Sequence, residues 1–229
     1  MRLAAGLIVA LATLGLSAHA QPASAPLSVI ELFTSQGCSS CPPANDNVRA
    51  LAGRPDILAL SYSVTYWDDL GWKDTFAQPA FTARQYAYAR SLGHSSPFTP
   101  QVVVDGRADV VGATHGEIEA LAARTRLLGG PSIAIRGERV ELGAANARSG
   151  AADVWLVRYD PRVIQVPVRA GENDGRTLPH RNVVRVLTRL GAWSGSAESF
   201  ALPPAPAGLS TAILVQTAHA GPILSAARS

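Results

Sequence analysis

Two residues in this 229-residue chain carry obvious chemistry. Cys38 and Cys41 are its only cysteines, and they are separated by Ser39 and Ser40. A disulfide across two intervening residues closes almost no loop, so it constrains the unfolded chain very little. Stability is therefore a poor reason for the pair, and reactivity is a better one. A thiolate is the attacking form of cysteine, and a second thiol three positions on can resolve a mixed disulfide and release its partner. Cys41 is followed by Pro42 rather than His, which excludes a c-type haem attachment motif.

The surroundings of the pair matter more than its spacing. Leu27–Phe33 reads as a buried strand, Thr34–Pro43 as a turn, and Ala44–Ala52 as a short helix with Val48, Leu51 and Ala52 on one face. The N-terminus of a helix offers unpaired N–H groups and a positive partial charge, both of which favour a thiolate. Proline is tolerated in a first helical turn but costs about 3 kcal/mol or more in a helix interior. Pro42 and Pro43 thus predict that regular helix begins near Pro42. On this reading Cys38 sits in the preceding loop as the more exposed, attacking sulfur. Cys41 lies at the helix mouth as the buried, resolving one.

Further elements follow. Ile57–Val64 is an alternating strand, and Tyr66–Gln78 (YWDDLGWKDTFAQ) an aromatic, acidic insertion. Ala80–Leu92 reads as a helix. Thr99–Val104 turns at Asp105-Gly106 into Ala108–Val111, and Glu117–Leu128 forms an amphipathic helix. Gly129-Gly130-Pro131 ends helical periodicity. Beyond it come short alternating stretches punctuated by Gly, Pro and Asp, including Asp153–Tyr159, Leu178–Leu190 and Thr211–Thr217, a pattern that argues for a β-sandwich.

Strand, Cys-x-x-Cys, helix and a later Thr99-Pro100 leading a strand resemble the thioredoxin fold. More closely, ELFTSQGCSSCPPA, YWDDLGWKD, FTARQYAYA and TPQVVVDG are similar to an exported bacterial family, domain-of-unknown-function family 1223, with a likeness that spans the mature chain. The resemblance implies a thioredoxin-like fold and thiol chemistry without naming a substrate. It implies that Pro100 is cis and faces the cysteines. It implies that Thr99 presents backbone hydrogen bonds to an extended substrate, and that Glu31 is a buried acid relaying a proton to Cys41. The expected fold class is thus an α/β thioredoxin-like domain with a helical insertion over 27–129, followed by an all-β sandwich-like domain over 131–229. The Ser-Ser between the cysteines leaves open whether the pair oxidises, reduces or isomerises.

Composition and the chain start bound the partners. The formal charge is +3, and the basic residues, of which Lys73 is the only lysine, are scattered rather than clustered. A phosphate-tracking surface needs clustering, so nucleic acid is excluded as an expected partner. Arg2, the apolar run Leu3–Leu16 and Ala18-His19-Ala20 read as a signal peptide over 1–20, cleaved after Ala20. Residues 21–26 form a small-residue linker. A periplasmic or secreted protein is expected, with no membrane attachment after cleavage.

The function expected is thiol–disulfide exchange with protein or peptide thiols and an unidentified redox partner, using Cys38, Cys41, Thr99, Pro100 and Glu31 and no cofactor beyond the redox-active pair. Two alternatives use the same sulfurs. One is a copper or zinc module completed by His94 or His115. The other is a non-catalytic interaction protein with an inert pair. Tyr62, Tyr66, Trp67 and Trp72 could line a substrate groove, or simply pack. Asp68-Asp69 reads as a solvated loop, and His180 and Asn182 as a turn opening an edge strand.

Overall fold

The computed structural model describes residues 27–125, 127, 129–146 and 150–229. The signal and linker readings over 1–26 lie outside these residues.

The first half follows the expected order: β1 (Ser28–Thr34), α1 (Pro42–Leu51), β2 (Ile57–Ser63), α2 (Pro79–Ser91), β3 (Gln101–Val104), β4 (Ala108–Val110) and α3 (His115–Arg124). Pro42 and Pro43 open α1 with Cys41 as its N-cap, so the helix starts where the prolines require. In α3 the Thr114 hydroxyl accepts from the Glu117 N–H, a side-chain cap.

Side chains alternate across a strand. In β1, Val29 and Phe33 join the core beneath Phe81 and Tyr88 of α2. Ile30 and Leu32 point the other way, to Val48 and Leu51 of α1 and Ile118 and Leu121 of α3. The central strands are therefore covered on both faces, and all seven residues of β2 are buried.

The second half supplies strands: β5 (Ile133–Arg136), β6 (Arg139–Leu142), β7 (Ala152–Asp160), β8 (Ile164–Pro167), β9 (Thr177–His180), β10 (Val183–Trp193), β11 (Glu198–Ala201), β12 (Ser210–Thr217) and β13 (Ile223–Arg228). They do not form a separate sandwich behind a thioredoxin-like domain, and the expected fold class is corrected here. One mixed eight-stranded sheet has the order β13-β12-β7-β10-β2-β1-β3-β4, with four strands from each half.

The seam is narrow and specific. β10 meets β2 in parallel at Val183 and Ser61. The Ser61 N–H donates to the Asn182 carbonyl over 3.0 Å, and Asn182 Nδ2 donates to the Ala59 carbonyl over 2.7 Å. Asn182 adopts φ +52°, a left-handed conformation that asparagine tolerates better than most residues. The physical reason for the join is the edge of β2. β1 takes one edge of this fully buried strand, and the other would leave buried backbone groups unpaired. The α2-side core accordingly continues without a break into Val157, Tyr159, Val184 and Leu214. A three-stranded sheet, β11-β6-β5, closes over the opposite face of β7 and β12 through Val140, Leu142, Val154, Leu156, Ile213 and Val215. The β8–β9 hairpin packs Val166 against Phe76 of the aromatic insertion.

Candidate functional site

β1 enters α1 through two tight turns. Cys38 N–H donates to the Ser35 carbonyl and Cys41 N–H to the Cys38 carbonyl, both over 3.2 Å. Both cysteines are free thiols. The Cys38 sulfur has Ser40 Oγ at 3.2 Å, and the Thr99 hydroxyl donates to it over 3.5 Å. Thr99 is oriented in turn by Trp67, whose indole N–H donates to its hydroxyl oxygen over 2.8 Å. The Thr99–Pro100 peptide is cis, and Pro100 is buried. Four of the five expected site residues are thus gathered: Cys38, Cys41, Thr99 and Pro100.

The two sulfurs differ in chemistry. A hydrogen bond from the Cys41 thiol, then those from the Ser40 and Thr99 hydroxyls and the Ser40 backbone, lower the Cys38 thiol from 9.0 to about 6 against the opposing effect of burial. Burial pushes the Cys41 thiol up, and its bond to Cys38 and the Cys38 charge add to that, while Ser35 and the Thr34 hydroxyl pull the other way. Cys38 is thus the more readily ionised of the two sulfurs and Cys41 the less so. Neither residue is exposed, Cys38 lying against Ser40 and Thr99, but Cys41 is the more deeply buried of the two, as expected. Only Ser39 and Ser40 of the motif face solvent.

Glu31 is not brought to the sulfurs, which corrects the proton-relay expectation. The parity of β1 sends it to the α2 face, with Val29 and Phe33, whereas α1 and its N-terminal cysteine lie on the face of Ile30 and Leu32. There its carboxylate accepts from Arg84 Nε over 2.8 Å and Arg84 Nη2 over 2.9 Å, and from the Tyr88 hydroxyl. Gln216 of β12 closes the network, accepting from Arg84 over 3.0 Å and donating to Tyr88 over 2.9 Å.

The other candidates separate in the same way. Tyr62 is core, stacked on Phe33 with centroids 5.3 Å apart. Tyr66 lies at the site, where burial pushes its phenol up to about 12 while Thr99 and Gln85 pull the other way. His94 sits 2.9 Å from the Asp109 carboxylate and His115 3.5 Å from that of Glu119, so both are engaged away from the cysteines. Among the described residues, no group of three or more His, Cys, Asp or Glu side chains is arranged to hold a metal ion. Asp68 accepts from the Asp74 N–H over 3.1 Å and shapes the insertion.

Three residues at the site escaped the sequence reading: Gln36, Glu172 and Asn173. Gln36 ties the turn to the insertion, accepting from the Trp72 indole over 2.9 Å and donating its backbone N–H to Asp74 over 2.7 Å. Glu172 and Asn173 belong to a single helical turn, Gly171–Asn173, between β8 and β9. Glu172 Oε2 accepts from Ser39 N–H over 3.0 Å and Ser39 Oγ over 2.7 Å. Asn173, fully buried, donates Nδ2 to the carbonyls of Gln36 over 2.9 Å and Cys38 over 2.8 Å. Gly171 makes the approach possible: its φ is +75°, and a Cβ there would lie 3.2 Å from that of Trp72. The available signal was the polar turn Gly-Glu-Asn-Asp-Gly between two strands, too general to point at the cysteines.

The family described as "Protein of unknown function (DUF1223)" matches residues 29–216. The chain belongs to this family. No curated protein matches it. Among solved structures it is similar to protein AGR_C_4864 from Agrobacterium tumefaciens, at 35% identity and a TM-score of 0.73, over 91% of this chain and 95% of that one. It is also similar to HBP35 of Porphyromonas gingivalis, at 12% identity and a TM-score of 0.59, over 91% of this chain and 76% of that one. The second likeness is one of fold alone.

Proposed function

We propose that this chain of the DUF1223 family exchanges thiols and disulfides with a peptide or protein through Cys38 and Cys41. One observation carries the reading. Two free thiols adjoin at the mouth of α1, with hydroxyl donors on Cys38 and burial on Cys41. The Cys38 thiolate attacks one sulfur of a substrate disulfide, that S–S bond breaks, and the departing thiolate takes a proton. A mixed disulfide between Cys38 and the substrate results. Cys41 then gives up its proton and attacks the Cys38 sulfur, and the substrate's second sulfur leaves and is protonated. The substrate has gained two electrons and the pair has become a disulfide. In reverse, a dithiol partner reduces the pair. The partner's own potential sets the direction. Thr99 steadies the Cys38 thiolate, and the exposed Ser39-Ser40 turn is the path of approach. An exported, oxidising compartment belongs to the same proposal.

The test is covalent trapping. Cys41→Ala, incubated with disulfide-bonded peptides and proteins across several redox buffers, is expected to accumulate mixed disulfides through Cys38, and Cys38→Ala is expected to accumulate none. A Cys41→Ala protein that forms no adduct with any of them sinks the proposal.

A further inference from the structure

The strand-rich half reaches into the cysteine turn with two adjacent side chains of the Gly171–Asn173 turn. We propose that Glu172 and Asn173 are positioning residues of the cysteine pair, holding the Cys38–Cys41 turn in the shape that brings Ser40 and Thr99 to the Cys38 sulfur. The inference rests on the exchange reading above and extends it to residues that touch neither sulfur.

The argument begins with the turn's own backbone. Two backbone N–H···O bonds of 3.2 Å and the Gly37 N–H donating to the Ser35 hydroxyl over 3.0 Å are its internal support. Other contacts hold it from outside: the Gln36 N–H donates to Asp74, the Gln36 and Cys38 carbonyls accept from Asn173, and the Ser39 N–H and hydroxyl donate to Glu172. Asn173 is itself fixed, since its Oδ1 accepts from Arg176 over 2.7 Å. A buried amide that satisfies two carbonyls at once specifies one loop geometry, because any other leaves a buried group unpaired. The Ser40 hydroxyl, at 3.2 Å from the Cys38 sulfur, depends on that geometry. So does the placing of Cys38 against Thr99, which Trp67 holds independently.

Geometry and charge predict opposite signs, which makes the idea testable. The ionisable groups that bear on Cys38 are the Cys41 thiol and the Tyr66 phenol, and Glu172 brings a carboxylate to the turn between the cysteines. By charge alone, loss of Glu172 would ease ionisation of Cys38. By positioning, its loss withdraws the hydroxyl donors and makes ionisation harder.

The experiment measures the pH dependence of iodoacetamide alkylation of Cys38, the equilibrium of the pair with glutathione, and the melting temperature, for the full chain and its variants. Glu172→Ala and Asn173→Ala are each expected to raise the alkylation midpoint by about one pH unit, the equivalent of one charge-assisted hydrogen bond. The dithiol form is expected to lose several-fold in its equilibrium with glutathione. Glu172→Gln keeps an acceptor for Ser39 and is expected to hold the midpoint at or below that of the unaltered protein. A lowered midpoint in Glu172→Ala, a raised one in Glu172→Gln, or a lower melting temperature with no change of midpoint overturns the proposal. Should Asn173→Ala fail to fold, the solvent-facing Glu172 variants decide it. A pair that never exchanges with glutathione in the unaltered protein counts against the exchange reading instead, and leaves the alkylation comparison intact.

Discussion

At the scale of the residue, Thr99 is the hinge of the site. Its hydroxyl accepts from Trp67 and donates to Cys38. Thr99→Val keeps the branched shape and deletes both bonds, so the midpoint of Cys38 alkylation is expected to rise by about one pH unit while the fold persists. An unchanged midpoint would mean that Thr99 merely fills space. Cys38, Cys41, Thr99 and Pro100 were legible because their chemistry is local: a motif on a strand-to-helix turn, and a proline heading a strand. Glu31 was misread because type and proximity in sequence do not reveal strand parity, and one position along β1 decides which face a side chain joins. Asn173 was invisible for a different reason. It binds the Cys38 carbonyl across 135 positions of chain, and no spacing rule reaches that far.

At the scale of the element, the buried Glu31–Arg84 pair joins β1 to α2, and Gln216 adds β12. Arg84→Met leaves Glu31 buried without its counter-charge, and a loss of about 3–5 kcal/mol is expected in denaturant unfolding, as for other broken buried pairs. The alkylation midpoint of Cys38 is expected to stay where it is. If it moves with the stability, Glu31 is coupled to the sulfurs after all. The elements themselves were largely readable. Pro42 marks the start of α1, a continuous apolar run marks β1, alternation marks β2, and Pro100 heads β3. The run Leu178–Leu190 was read as one stretch, but it breaks at Asn182, whose left-handed backbone separates β9 from β10.

At the scale of the whole molecule, the sheet crosses the Gly129–Pro131 break and one core spans both halves. Periodicity shows which residues alternate but not which edge pairs with which, so the two domains expected in succession share one eight-stranded sheet. Calorimetry is therefore expected to show a single transition, and two well-separated transitions would contradict a shared core. Acid sensitivity belongs to this scale as well. Burial, aided by Arg185, lowers His180 from 6.5 to about 4 where β9 meets Phe76 of the insertion. The unfolded chain takes up that proton below about 6.5 and the folded chain only near 4, so His180 costs stability as pH falls through this window. Asp105, raised to about 6 by burial, works the other way: its contribution favours the fold at low pH and is lost as pH rises through 6. Comparing the unaltered protein with His180→Phe separates the two. The variant is expected to lose less stability between pH 6.5 and pH 4, and equal losses would dismiss the histidine.

The bond from Trp67 to Thr99 has an optical consequence. Trp67 is one of four tryptophans in the chain, and a single hydroxyl separates its indole from the Cys38 sulfur. Conversion of Cys38 from thiolate to disulfide takes away the acceptor of the Thr99 proton and changes the surroundings of that indole. Sulfur in either state also quenches indole emission at short range, to different degrees. Under the proposed exchange, oxidation of the pair is expected to change the protein's own fluorescence, and an emission that is the same with and without reductant would count against the link.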